Sequence, residues 1–307
     1  MDYFKLYPTE KQVDNFLNEI KELSDSTKYV VSQNAATDPL AQSFYSYYSM
    51  WEDKMITFDC QGEMGKFYAI WQPAGLKNDA PLLVNMPGYG FESCYVNEIV
   101  FEGFNVLTIM PMGYNTPGGR NWEITKGEYG TWPVLPETLA TGTKKGYRFL
   151  LAQSMLAAKW ALSQPGVISD RVSFFGTSNG GGTALLMGSL MNDITSCVAA
   201  DVPFLINFPA SDFNNAFCYG QSALKFVSKE EAYKAAGYID VLSHVHRLKF
   251  PILLTAGTAD DSCPLKNIYS LFEKLTETKC FMSIKDEGHR YTREFIHLAK
   301  GWFRMYA

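Results

Sequence analysis

Apolar positions along the chain change period twice. Between residues 10 and 23, Val13, Phe16, Leu17 and Ile20 recur at helical spacing, which predicts an amphipathic helix. Residues 24–50 are polar and Tyr-rich, without a firm period, and read as irregular. Two short strand-like runs follow at 55–59 and 67–71, and Gly62-Glu63-Met64-Gly65 between them reads as a hairpin turn. From residue 81, apolar runs alternate with helical stretches. Strands are predicted at 81–86, 105–109, 172–175, 197–200, 251–255 and 280–284, and helices at about 146–164, 179–191, 265–276 and 290–305.

Continuous apolar strands separated by helices fit a sheet buried on both faces. The expected fold is therefore α/β, with a mostly parallel central sheet, helices on both faces and the early hairpin at an antiparallel edge. Residues 1–54 are read as a helical and irregular N-terminal extension, and 55–307 as one domain. Two stretches break the alternation, at about 111–145 and 202–240. The first is rich in Gly, Thr and Trp. The second carries Phe204, Phe208, Phe213 and Phe217. Long insertions of this kind are often lids or binding loops.

Composition narrows the chemistry. A net charge of −5 with no basic block argues against nucleic-acid binding. No run approaches the ~20 apolar residues of a membrane span. The N-terminal Met1-Asp2-Tyr3-Phe4-Lys5 lacks a basic start and an apolar stretch. The six cysteines are scattered without a C-x-x-C pair, so reduced thiols in the cytoplasm are expected, with no metal site and no cofactor-binding set. Only four histidines are available as a base near neutral pH.

The informative segment is Phe175-Gly176-Thr177-Ser178-Asn179-Gly180-Gly181-Gly182, a G-x-S-x-G placed between an apolar strand and a helical run. A nucleophile elbow needs that strand–turn–helix context. The serine occupies a tight turn, Gly176 and Gly180 remove side chains that would collide, and the helix N-terminus presents N–H groups to an oxyanion. A phosphate-binding turn fits less well, because G-x-G-x-x-G is absent and no Gly-Lys-Ser/Thr follows.

A serine hydroxyl needs a base, and in this architecture the order is Ser, acid, His. His289 follows the last predicted strand and precedes the final helix, where a base on a loop is expected. His297 reads as a packed side chain of the C-terminal helix, and His244 and His246 as partly exposed on a helix. The turn after the 251–255 strand offers two adjacent acids, Asp260 and Asp261, and spacing leaves both open. The loop Met86-Pro87-Gly88-Tyr89-Gly90 occupies the place of the second oxyanion donor. The backbone N–H groups of Tyr89 and Asn179 are the expected pair.

These residues resemble the α/β-hydrolase superfamily over about 55–307 and, more narrowly, the acetyl xylan esterase and cephalosporin C deacetylase family. The narrower likeness rests on Gly88-Tyr89, on Gly176 to Gly182, on Ala200-Asp201-Val202-Pro203-Phe204-Leu205, on Tyr238-Ile239-Asp240 and on Gly257 to Pro264. The family's acid lies four residues before that proline, which selects Asp260. Pro87 and Asn179 stand where the family usually has His and Gln. The resemblance implies a cytoplasmic, cofactor-free serine carboxylesterase, a homo-oligomer that hydrolyses acetyl esters of small carbohydrates. The competing readings are a serine peptidase or longer-chain esterase of the same fold, and a non-catalytic binding protein.

Overall fold

The computed structural model describes residues 2–35, 54–75, 78–90, 97–100, 102–117 and 119–307. Among these, nine strands form one sheet: β1 Tyr29–Ala35, β2 Lys54–Cys60, β3 Lys66–Gln72, β4 Ala80–Met86, β5 Asn105–Met110, β6 Val167–Thr177, β7 Thr195–Asp201, β8 Ile252–Gly257 and β9 Lys279–Ile284. Their order is β1-β2-β3-β5-β4-β6-β7-β8-β9. The first three pairings are antiparallel, β1 on β2, β2 on β3 and β3 on β5. All pairings from β5 to β9 are parallel.

The longer helices are α1 Glu10–Ser26, α2 Val134–Thr141, α3 Tyr147–Leu162, α4 Asn179–Leu190, α5 Lys229–Gly237, α6 Leu265–Lys274 and α7 Arg293–Tyr306; α3, α4 and α6 lie on one face of the sheet and α7 on the other, while α2 and α5 belong to the insertions. The alternation along β6 shows how the core divides. Phe174 packs with the larger cluster formed with α1, α3 and α4, whereas Phe175 faces the smaller cluster built on Phe295, Ala299 and Phe303 of α7. This is the two-sided burial that continuous apolar strands imply. Helix α1 starts at a Thr9–Gln12 capping box and buries Val13, Phe16, Leu17 and Ile20. Ion pairs Arg148–Glu19 and Lys159–Asp25 link it to α3. None of the described helices is long and apolar enough to cross a membrane.

Three local expectations change. Residues 29–35 were expected to be irregular but form an edge strand, seven residues paired with β2. Most of its side chains are exposed, so burial leaves no apolar alternation to read. The remainder of that stretch, 36–50, lies outside the described residues, as does Cys94. The insertions are less irregular than expected: 111–145 carries α2, and 202–240 carries α5 and a 3-10 helix at Asn215–Lys225. Phe208 and Phe213 both stack on Phe217 at 4.2 Å, so these phenylalanines pack the insertion itself.

The histidine environments also differ from expectation. His297 is exposed, because the apolar face of α7 is set by Phe295, Ile296, Ala299, Trp302 and Phe303, and position 297 falls on the other side. His244 is fully buried rather than partly exposed. Its Nε2 lies 2.9 Å from the Tyr238 carbonyl, which can only accept. Nε2 therefore carries the hydrogen, and Nδ1 accepts from the Ser189 hydroxyl at 2.9 Å.

Burial lowers the His244 pKa to about 4 from an ordinary 6.5. As pH falls below 6.5 the unfolded chain binds a proton that the folded chain refuses, so stability is lost down to about pH 4. The full effect is roughly 3 kcal/mol. Urea unfolding at pH 7 and pH 4 should therefore show a smaller acid loss in His244→Gln than in the parent. Equal losses would contradict a neutral buried imidazole.

Candidate active site

The strands β4 to β9 run parallel, so the loops leaving their carboxyl ends gather at one edge of the sheet, where open α/β sheets bind ligands. That edge receives the 87–90 loop after β4, both insertions, the turn after β6, and the loops after β8 and β9.

Ser178 sits between β6 and α4 at φ 61° and ψ −122°. This left-handed backbone is strained for a residue with a Cβ. Backbone bonds hold it: the Ser178 N–H donates to the Asp201 carbonyl at 2.8 Å, and the Phe204 N–H donates to the Ser178 carbonyl at 2.9 Å. The turn also requires close approach. A Cβ on Gly180 would lie 2.2 Å from the Met86 carbonyl oxygen, and one on Gly176 would lie 2.6 Å from the Gly180 carbonyl carbon.

His289 lies on the loop after β9. Its Nε2 is 2.7 Å from Ser178 Oγ and its Nδ1 is 2.8 Å from Asp260 Oδ2. A carboxylate only accepts, so Nδ1–H points to Asp260 and Nε2 is left to accept from the serine hydroxyl. Asp260 is oriented in turn: its Oδ1 accepts from the N–H groups of Ser262 and Cys263, both at 2.8 Å. Asp261 is exposed, and its backbone carbonyl accepts from the Asn215 amide. The two loops are tied together by Ala259 N–H to Glu287 O and Asp286 N–H to Thr258 Oγ1, each at 2.8 Å. Gly257 permits this approach, since a Cβ there would lie 2.4 Å from the Glu287 carbonyl oxygen.

Asn179 begins α4, and its side chain is fully buried. The Tyr147 hydroxyl donates to its Oδ1, and its Nδ2 donates to the Pro87 carbonyl at 3.3 Å. The helix start is thereby tied to the loop carrying Tyr89. That loop is held from outside as well. The Tyr89 hydroxyl donates to the Trp132 carbonyl at 2.9 Å, and the Arg120 guanidinium donates to the Gly90 carbonyl at 3.2 Å. Gly88, Tyr89, Ser178 and His289 line one pocket of about 300 Å³, with Phe175, Tyr291 and Phe295 among its other walls. Among the described residues, no three His, Cys, Asp or Glu side chains are grouped so that they could hold a metal ion.

Asp201 at the end of β7 stands in the family-like run 200–205, but the sequence assigned it no role of its own. It is fully buried. Its Oδ2 accepts from Thr177 at 2.9 Å, and its Oδ1 accepts from the Thr255 hydroxyl. One carboxylate thus joins the carboxyl ends of β6, β7 and β8. An aspartate closing the apolar run Cys197-Val198-Ala199-Ala200 was the available signal.

The chain matches the family model described as acetyl xylan esterase (AXE1) over residues 55–305. It belongs to the acetyl xylan esterase family. Acetyl xylan esterase 1 from Thermoanaerobacterium sp. JW/SL YS485 superimposes with a TM-score of 0.75 at 20% identity, over 98% of this chain and 97% of that one. The acetyl xylan esterase from Paenibacillus sp. R4 gives 0.76 at 19%, over 98% and 96%. Est1E from Butyrivibrio proteoclasticus is more distant, at 0.52 and 14% over 82% and 97%. Such low identities speak to fold, and they fit an α/β-hydrolase. Family membership makes the chain a serine carboxylesterase acting on acetyl esters.

Burial raises the Asp201 pKa from 3.8 to about 6, opposed by the bonds from Thr255 and Thr177. A raised acid binds its proton more tightly when folded, so this contribution to stability is present below pH 3.8 and lost as pH rises to about 6. The change is on the order of 3 kcal/mol. Urea titrations should show Asp201→Asn gaining on the parent by that amount between pH 4 and pH 6.5. A pH-independent difference would contradict the buried charge.

Proposed function

We propose that the protein hydrolyses acetyl esters of small carbohydrates through an acyl-enzyme on Ser178, with His289 as base and Asp260 as its partner. The observation that carries this reading is the continuous hydrogen-bonded line from Ser178 Oγ through the His289 ring to Asp260 Oδ2, at 2.7 and 2.8 Å. The spacing suits proton transfer to a positioned base.

Ser178 Oγ attacks the ester carbonyl carbon while its proton passes to His289 Nε2. Asp260 holds the imidazole in the required tautomer and stabilises its cation. Negative charge develops on the former carbonyl oxygen, and the backbone N–H groups of Tyr89 and Asn179 receive it. Each such donor contributes about 3 kcal/mol to the barrier reduction. The C–O bond to the alcohol then breaks, and the imidazolium returns its proton to the departing oxygen. Water, deprotonated by His289, then attacks the acetyl-serine; the bond from the acyl carbon to Ser178 Oγ breaks, the imidazolium returns its proton to Oγ, and acetate leaves. A pocket of about 300 Å³ beside the serine has room for an acetyl group.

We place this activity in the cytoplasm. Cys60, Cys197, Cys218, Cys263 and Cys280 are free thiols, which supports a reducing compartment.

Ser178→Ala should leave the circular dichroism spectrum unchanged and lower p-nitrophenyl acetate turnover by at least about 10⁴-fold. The same variant should lose labelling by a fluorophosphonate probe. Retained turnover would refute the mechanism. Asp260→Asn should cost about 10⁴-fold in kcat, whereas Asp261→Asn should stay close to the parent. The reverse order would reassign the acid.

A further inference from the structure

Tyr219 has a place in the structure that neither the proton line nor the core explains. It lies on the Asn215–Lys225 helix of the second insertion and is 47% exposed. Its ring stacks on that of Tyr89, with centroids 4.5 Å apart and an interplanar angle of 13°. Tyr89 lines the pocket of Ser178 and His289. One face of Tyr219 is therefore covered by the loop that carries an oxyanion donor, and the exposure belongs to the rest of the ring.

The first turn of this helix is fixed against the loop carrying Asp260. The Ala216 N–H donates to the Ser262 carbonyl at 2.9 Å, and the Asn215 amide donates to the Asp261 carbonyl. Tyr219 follows one turn later. It is held between two of the loops that build the active site, on the rim. Gln221 steadies the following turn by donating to the Phe213 carbonyl at 2.8 Å. Phe213 is itself stacked on Phe217 of the same helix, which ties the helix to the start of the insertion.

An exposed aromatic ring stacked on a residue of the Ser178 pocket offers a binding surface for the other half of the ester. A flat, half-exposed ring matches a pyranose, which presents a flat patch of C–H groups on its face. A short aliphatic alcohol has no ring to lay against it.

We propose that Tyr219 is a specificity-determining residue, a stacking platform for the sugar ring of an acetylated saccharide whose acetyl group enters the Ser178 pocket. This inference rests on the acetyl-esterase reading above and goes beyond it by naming the surface that selects the alcohol.

The test compares three acetates that differ in the alcohol: acetylated xylobiose, p-nitrophenyl acetate and ethyl acetate, followed by pH-stat. Tyr219→Ala should raise KM for acetylated xylobiose roughly five-fold, the scale of one lost aromatic contact, with kcat little changed. For ethyl acetate, kcat/KM should stay within about two-fold of the parent. Tyr219→Phe should restore the parent KM on the sugar ester, because the stack uses the ring and not the hydroxyl. Equal losses on the sugar ester and on ethyl acetate would make Tyr219 a prop for Tyr89 and overturn the proposal. An unchanged KM on the sugar ester would overturn it as well. A larger loss on p-nitrophenyl acetate than on the sugar ester would assign the surface to an aromatic alcohol and refute the pyranose. If the parent hydrolyses none of the three, the esterase mechanism itself falls, an outcome distinct from all of these.

Discussion

The close approach of α4 to β4 at Gly180 is the constraint on which the site depends. The Met86 carbonyl fills the space a Cβ would need at 2.2 Å, and Gly176 clears the adjacent position. With the helix pulled this near, the chain can leave β6 and enter α4 only through a sharp turn, and Ser178 takes the left-handed conformation. Such a residue costs about 1–3 kcal/mol. The bonds from Ser178 N–H to Asp201 and from Phe204 N–H to the Ser178 carbonyl offset that strain. The result is a Ser178 backbone fixed by main-chain bonds, with a helix N-terminus directly behind it. No side-chain choice at 178 builds the turn. The residue there only decides what chemistry it carries.

Side chains do the complementary work of registering loops against this fixed point. Asp201 gathers the ends of three strands through Thr177, Thr255 and its own carbonyl. Asn179 joins the helix start to Pro87, and Tyr147 completes its acceptor. Every one of these groups is buried or half-buried, so each bond operates in a medium where an unmade partner is expensive. A second anchor lies farther out. Asp240 accepts from the Tyr7 hydroxyl at 2.7 Å and from the N–H groups of Asn207 and Phe208 at 3.0 Å, fastening the N-terminal segment to the second insertion. Polar groups bury charge here to fix geometry, at a cost in stability that the raised Asp201 and Asp240 pKa values record.

How far the molecule could be read from its sequence follows from which interactions are local. The parallel strands were legible because two-sided burial makes them continuous apolar runs. The Ser178 turn was legible because glycine spacing is local steric information, and His289 because it follows a strand and precedes a helix. Residues Tyr29–Ala35 were not legible: an exposed edge strand owes its existence to backbone pairing with β2, which leaves no trace in side-chain pattern. His244 and His297 were misplaced for a related reason. Apolar neighbours in sequence suggested that His297 is packed, but helical geometry turns it outward. His244 is buried by Ser189 and Tyr238, of which Ser189 is distant in sequence. The two adjacent acids could not be separated by spacing at all.

Their separation in three dimensions explains why both are there. Asp260 points inward, where two N–H groups from its own turn fix one oxygen and leave the other for His289. Asp261 points outward, and its main chain takes the Asn215 amide while Ser262 takes the Ala216 N–H. One tight turn therefore orients the imidazole on its inner side and carries the rim helix on its outer side. Displacing the rim helix would pull on the same turn that holds the carboxylate. The insertion and the imidazole therefore share one anchor, since Asp261 follows Asp260 directly.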